Sequence, residues 1–179
     1  MLKSKSLTLL ELTISIVLVG LVILGVGSVS VFFVKQISNS LERYNIHSQV
    51  VYAMDDIRTR CLSAIDIQSA FDYSGEVKPD LEIYSEADIY NITPDEDSDN
   101  VWYKYYVDDQ NRLILENKST GDIDVLVEGR FNPTIEFEYT SGDSPNFITT
   151  EIIATSNKDE TVVISREEGI RFWFIEVIG

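Results

Sequence analysis

A long apolar stretch near the N-terminus dominates the hydrophobic pattern of this chain. Residues 12–34 form a run of 23 positions without Asp, Glu, Lys or Arg. An α-helix rises about 1.5 Å per residue, so this run extends over roughly 35 Å, which exceeds the bilayer's hydrocarbon core of about 30 Å. The pattern therefore predicts a membrane-spanning helix.

Helical periodicity continues after the apolar stretch. Apolar residues recur at steps of three, four or seven between charged residues, as one face of a helix requires: Ile37, Leu41, Tyr44, Val51, Met54, Cys61 and Ile65. We predict one continuous helix from Leu7 to Ile67, whose second half is amphipathic and lies on a β-sheet. His47 falls on or beside this stripe. With no second His and no Cys pair nearby, we interpret it as packed or half-exposed rather than as a metal ligand.

The hydrophobic period changes to two after a polar region at residues 71–100, for which we predict loops with one or two edge strands. Strands are predicted at Val101–Val107, Arg112–Glu116, Ile123–Val127, Thr134–Tyr139, Phe147–Ala154, Thr161–Ser165 and Ile170–Val177. Residues 108–111 have turn chemistry and join the first two strands as a hairpin. Short strands at this spacing favour an antiparallel sheet, which predicts an α+β fold with the helix on one sheet face.

Charge and composition argue against several classes of function. A net charge of −16 disfavours binding to nucleic acid or to anionic lipid headgroups. Cys61 is the only cysteine, which excludes an intrachain disulfide, and its neighbours on the stripe predict a small buried hydrophobe. The single His has no evident Ser or Cys partner, and no phosphate-binding glycine loop or paired carboxylates stand out. We predict no catalytic residue and no enzymatic activity.

The charges around the apolar stretch predict its orientation. Lys3 and Lys5 are the only charged residues before Glu11, so the positive-inside tendency keeps the N-terminus cytoplasmic and exports the rest. An ionised carboxylate costs about 2.5–3.5 kcal/mol at the centre of a membrane helix, so we expect Glu11 to have a partner. If the chain were cut between Ser6 and Leu7, the new ammonium would lie one helical turn from Glu11, or could reach the Glu11 of a neighbouring copy.

Residues 5–12, Lys-Ser-Leu-Thr-Leu-Leu-Glu-Leu, followed by an apolar helix, resemble the class III signal of type IV pilins and type II secretion pseudopilins. The resemblance implies that a prepilin peptidase cuts between Ser6 and Leu7 and methylates Leu7, and that Glu11 serves methylation and subunit docking. Two positions depart from the family pattern, which prefers Gly where Ser6 stands and Phe where Leu7 stands. The implied domains are a leader at 1–6, a transmembrane and filament-core helix at 7–34, an amphipathic exported helix at 35–67, and an exported acidic loop and antiparallel β domain at 68–179.

The order of the later segments resembles the PulJ and PilW group of minor pilins. The matching pieces are Trp102–Tyr106, Asn111–Leu113, Val125–Gly129 and Phe137–Tyr139. The resemblance implies a pilin-like fold and a non-enzymatic minor subunit of a type IV pilus or a type II secretion-like pseudopilus, within the filament or at its tip. Implied partners are other pilin subunits, prepilin peptidase, the inner-membrane assembly platform and, before assembly, membrane lipid.

The implied location is the cytoplasmic (inner) membrane, as a single pass with the C-terminus exported, followed by a periplasmic or extracellular filament. Two alternatives stay open. One is a membrane-anchored exported binding domain, such as an adhesin or receptor, that never polymerises. The other is an ordinary secretory signal cut after Ser30. Glu11 argues against it, because an acidic residue at the edge of the apolar region does not help such a signal.

Alternating carboxylates at Asp95, Asp97 and Asp99 resemble the start of an EF-hand calcium loop. The pattern fails at Asn100, where the loop needs glycine, and at Tyr106, where it needs a closing glutamate. We interpret this segment as a solvated acidic loop and predict no cofactor. Calcium binding in a loop of other geometry stays open, since some pseudopilins use calcium.

Overall fold

The computed structural model describes residues 8–67, 77–86, 100–140, 147–158 and 162–171. These residues form an α+β fold with one long helix, α1 (Leu9–Ser63), and antiparallel strands. The strands are β1 (Ala64–Ile67), β2 (Val77–Lys78), β3 (Leu81–Glu86), β4 (Asn100–Val107), β5 (Leu113–Asn117), β6 (Ile123–Val127), β7 (Thr134–Thr140), β8 (Phe147–Thr155) and β9 (Val163–Arg171). The chain divides into two units, Met1–Leu41 and Glu42–Gly179.

The described part of the first unit is helical from Leu9 onward. Its apolar side chains are exposed around the whole circumference, from Leu9 at 85% to Val34 at 68%. Helix α1 is long and apolar enough to cross a membrane, as predicted. No proline interrupts it, so its backbone hydrogen bonds are satisfied within the helix, as a hydrocarbon environment requires.

In the second unit, residues 42–63 of α1 pack against two antiparallel sheets. The first sheet has the strand order β1-β3-β4-β5-β6, and the second has the order β2-β7-β8-β9. The buried helix residues recur at steps of three and four, so they share one face: Ile46, Val50, Ala53, Met54, Ile57 and Cys61.

The hydrophobic core joins that helix face to the inward faces of both sheets. Alternate residues point inward along β4 and β7, whereas burial does not alternate along β5 and β6, whose pairing is irregular. The largest fully buried side chains include Leu81, Ile83, Tyr105 and Leu113 of the first sheet and Phe137, Ile148 and Ile152 of the second. Burial of one such side chain contributes about 1.5–3 kcal/mol. The core therefore holds the helix to both sheets.

The predicted helix differs from the observed one at its C-terminal end and in its buried face. The helix ends at Ser63 rather than Ile67, because Ala64–Ile67 pairs with β3. Met54 and Cys61 are buried as predicted, but Ile37, Leu41 and Tyr44 are exposed. Tyr44 and Ile46 lie two residues apart, about 200° around the helix, and it is the Ile46 face that the sheets cover. His47 is exposed.

The strands follow the predicted pattern more closely than the helix does. Strand β6 matches its predicted bounds, and the β4–β5 hairpin turns at residues 108–111 as expected. Two predictions are wrong. The strands form two sheets rather than one. The chain crosses between them at Pro79, which follows β2 of the second sheet and precedes β3 of the first. Strand β9 is continuous where two strands were predicted, and residues 172–177 of the second lie outside the described ranges.

Candidate functional site

The start of helix α1 is a capping box formed by Thr8 and Glu11. The Thr8 amide and hydroxyl donate to Glu11 Oε2 at 2.9 and 3.0 Å, and the Glu11 amide donates to Thr8 Oγ1 at 3.4 Å. These bonds satisfy backbone donors that have no partner within the helix, and the carboxylate lies where the helix dipole favours negative charge. Glu11 therefore has a partner in its own chain.

Sequence reasoning missed this role of Thr8. The available signal was the spacing Thr8-x-x-Glu11 immediately before an apolar run, which is the pattern of a capping box. The predicted processing residues Ser6 and Leu7 lie outside the described residues. Cleavage between them, methylation of Leu7 and docking by Glu11 therefore stay predictions.

The hydroxyl groups in the apolar part of α1 are satisfied within the helix. Each donates to the carbonyl oxygen four residues earlier, at 2.8–2.9 Å: Thr13 to Leu9, Ser15 to Glu11, Ser28 to Leu24 and Ser30 to Val26. A hydroxyl with no partner is costly in an apolar medium. These four polar residues are thus compatible with a hydrocarbon environment.

Asp56 connects α1 to the first sheet. The buried Tyr105 hydroxyl donates to Asp56 Oδ2 at 2.7 Å, Arg60 Nε lies 3.3 Å from the same oxygen, and the Arg60 guanidinium stacks 4.0 Å from the centre of the Tyr103 ring. Burial, reinforced by the Asp56 charge, raises the pKa of Tyr105 well above its ordinary value. Tyr105 therefore stays protonated and acts as a hydrogen-bond donor.

Glu42 connects α1 to the loop after β8. Ser156 Oγ donates to Glu42 Oε1 at 2.7 Å, and Lys158 Nζ lies 3.5 Å from Oε2. The Ser156 hydrogen bond, with help from the Lys158 and Arg130 charges, lowers the pKa of Glu42 below its ordinary value. Glu42 is therefore ionised at neutral pH and holds the helix beside the end of β8.

The other residues considered for a chemical role are Cys61 and the acidic cluster at Asp95, Asp97 and Asp99. Cys61 is fully buried, as predicted, and burial raises its thiol pKa, so it is a poor nucleophile. Within the described ranges, no three His, Cys, Asp or Glu side chains converge to hold a metal ion. The calcium candidates Asp95, Asp97 and Asp99 lie outside those ranges.

No protein-family model, curated protein or solved structure matches this chain.

Proposed function

We propose that this chain is a minor pilin or pseudopilin, a structural subunit without enzymatic activity. One observation carries the proposal. The leader-like residues Lys5 and Ser6 and the glutamate Glu11 precede a single helix whose side chains are exposed all round as far as Val34 and packed under antiparallel sheets from Ile46 onward. A pilin needs this combination, because one helix must serve first in a membrane, then in a filament core, and also support an exported domain.

In the proposed pathway the precursor enters the inner membrane with Lys3 and Lys5 in the cytoplasm. A prepilin peptidase cuts after Ser6 and methylates Leu7. The assembly platform then extracts the subunit into a type IV pilus or a type II secretion-like pseudopilus, in the filament or at its tip. There the apolar helices of neighbouring subunits bundle, and Glu11 neutralises an N-terminal ammonium.

The capping box gives Glu11 a second role, which a test of docking must separate from the first. Glutamine is also a capping-box residue, because its side-chain oxygen still accepts the Thr8 amide hydrogen bond. The substitution Glu11→Gln therefore keeps the cap and removes the charge. The substitution Thr8→Ala does the reverse, since it removes the capping hydroxyl and leaves the carboxylate.

The test compares these two variants in cells that contain the complete assembly machinery. Membrane-bound subunit and subunit in sheared filaments are quantified separately by immunoblot. We expect both variants to insert into the membrane. Incorporation of Glu11→Gln should fall about tenfold or more, because an unpaired ammonium in an apolar bundle is strongly destabilising, whereas Thr8→Ala should assemble nearly as the parent does. Normal incorporation of Glu11→Gln would refute charge pairing as the docking mechanism.

The alternative of an anchored binding domain uses the same membrane helix but needs no Glu11 charge. It predicts that the parent chain itself stays in the membrane fraction under every condition in which other pilins form filaments. Absence of the parent protein from filaments that contain the other subunits would favour this alternative.

A further inference from the structure

A groove of about 890 Å³ lies on the second unit, between β2 and β7 of the second sheet and β4 and β5 of the first. This volume is within the range of about 300–1,000 Å³ that is typical of ligand sites. The groove has no part in the membrane helix or in the Glu11 contacts. Its walls combine apolar side chains, an aromatic ring and carboxylates.

One wall of the groove is part of the edge of β7. This strand pairs with β8 from Thr134 to Thr140, but on its other side β2 pairs only with Phe137 and Glu138. In the described residues, positions 134–136 of β7 therefore pair with no strand on that side, although β4 of the first sheet lies near β7 without pairing with it. Alternate residues of a strand direct their N–H and C=O groups to opposite sides, so this stretch presents backbone donors and acceptors to the groove.

The reason for this gap is Pro79. The register of β2 would place Pro79 opposite Glu136 if the strand continued. Proline has no N–H to donate to a ladder, and the chain turns there to enter β3 of the other sheet. The sheet thus loses one strand halfway along β7, and Pro79 itself lines the groove.

The side chains of the groove favour a basic ligand. Its charged lining residues are three carboxylates, Asp80, Glu116 and Glu136, and one ammonium, Lys104. Lys104 is already paired, since its Nζ lies 2.8 Å from Asp80 and 3.3 Å from Glu82. The groove therefore has an excess of negative charge.

Aromatic and apolar groups complete the walls. The ring of Tyr106 lines the groove and already has the Lys104 ammonium 5.5 Å from its centre, so the ring offers the ligand its other face and its edge. Val77 is half exposed there and offers apolar contact. A ligand with alternating apolar and basic side chains would match these walls.

We propose that the groove binds an extended, basic segment of a partner protein, which pairs with residues 134–136 of β7 as an added strand. The segment runs antiparallel to β7, as β2 does, and occupies the position that β2 would fill if it continued past Pro79. Backbone hydrogen bonds supply affinity in this mode of recognition, and the side chains that face the groove supply specificity. A second copy of this chain is a poor donor, because two molecules of net charge −16 repel each other.

The test uses the full chain in detergent micelles and a blocked, fluorescein-labelled peptide, Thr-Val-Lys-Val-Lys-Val-Thr. Binding is measured by fluorescence anisotropy, and the site is located by hydrogen exchange with mass spectrometry. We expect slower exchange in fragments that contain residues 134–136. The same peptide with Glu in place of Lys should not bind.

Two N-methylated peptides test strand pairing directly. One carries methyl groups on the odd-numbered peptide nitrogens and the other on the even-numbered nitrogens. Only one set can direct its N–H groups toward β7. Methylation of that set should weaken binding about tenfold or more, and methylation of the other set should have little effect, since a strand edge pairs through alternate residues.

Matched charge variants test the position of the ligand. The substitution Glu136→Lys changes a residue that lines the groove. The substitution Glu167→Lys makes the same charge change outside the groove, on β9. Glu136 pairs with Glu151 of β8, and Glu151 pairs with Glu167, so the two substituted positions lie two strands apart in one cross-strand row. We expect Glu136→Lys to weaken peptide binding about tenfold and Glu167→Lys to change it less than about twofold, because only the first charge adjoins the ligand.

Several outcomes would overturn the proposal. They are no binding of the lysine peptide, equal effects of the two N-methylated sets, equal effects of the two charge variants, and exchange protection away from residues 134–136. Protection of these residues in the protein alone as its concentration rises would identify a second copy as the occupant and also overturn it. None of these outcomes bears on cleavage or filament assembly.

Discussion

The Tyr105 hydroxyl stabilises the contact between α1 and the first sheet, and its removal has a predictable cost. Tyr105 is fully buried, and the Asp56 side chain that accepts its hydrogen bond at 2.7 Å is only 10% exposed. The substitution Tyr105→Phe keeps the ring in the core and deprives a mostly buried carboxylate of one donor. Hydrogen bonds to charged groups contribute about 1.5–3 kcal/mol. We therefore expect the free energy of unfolding to fall by about 2 kcal/mol.

The assay is urea unfolding of the full chain in detergent micelles, monitored by tryptophan fluorescence, since Trp102 lies in the same strand, β4, three residues before Tyr105. The matched control is Tyr106→Phe. Tyr106 is the next residue of β4, but its hydroxyl bonds to Glu116 on the side of the sheet away from the core, and it is only partly buried. Tyr106 and Glu116 are both partly exposed, so water can replace the lost hydrogen bond and the control should change stability much less.

A double-mutant cycle isolates the interaction between the two side chains. The variants are Tyr105→Phe, Asp56→Ala and the double substitution; alanine is used because the amide oxygen of Asn would still accept the Tyr105 hydrogen bond. Residues that share a hydrogen bond give coupling energies of about 0.5–3 kcal/mol, and we expect a value above about 1 kcal/mol here. Equal costs for Tyr105→Phe and Tyr106→Phe, together with a coupling energy near zero, would refute the role assigned to the Asp56 contact.

Three further predictions concern the second unit. A Cβ on Gly129 would collide with the Gln110 carbonyl oxygen, so Gly129→Ala should lower the free energy of unfolding by about 1–3 kcal/mol in urea; an unchanged midpoint would contradict this. The Arg112 hydrogen bond lowers the pKa of Asp108 below its ordinary value of 3.8. That contribution is present above pH 3.8 and is lost as pH falls through the folded-state pKa, so Asp108→Asn should flatten the acid decline of stability in thermal unfolding, and an unaltered pH profile would refute it. Cys61 should resist iodoacetamide until urea unfolds the protein; labelling of the native chain would show that it is accessible.

Local sequence was sufficient to predict most of the strands, because apolar and β-branched runs stand between turn residues. Residues 123–127 illustrate this, since the predicted and observed strands coincide. The helix was more ambiguous, because apolar residues occupy both of its faces between Ile37 and Ile57. Only long-range packing decides that Ile46 rather than Tyr44 faces the sheets. The strand that follows Ser63 depends in the same way on pairing with β3.

In the candidate site, too, features that depend on local sequence could be predicted and features that depend on long-range packing could not. The Glu11 position, the Thr8-x-x-Glu11 spacing of the cap and the apolar helix are local patterns, so the sequence alone contains the signal for each of them. The division into two sheets could not be predicted, because strand alternation says nothing about partners. The groove at Pro79 follows from that division, so its unpaired edge on β7 appears only in the folded structure.

The central claim is that this chain enters the pilin pathway, and its N-terminus is the most direct test. N-terminal mass spectrometry would compare the protein from cells with and without a prepilin peptidase. The proposal predicts a chain that begins at Leu7, with or without a methyl group, only when the peptidase is present. A chain that begins at Met1 or at Val31 in both strains would contradict the proposal and favour an anchored or secreted binding domain.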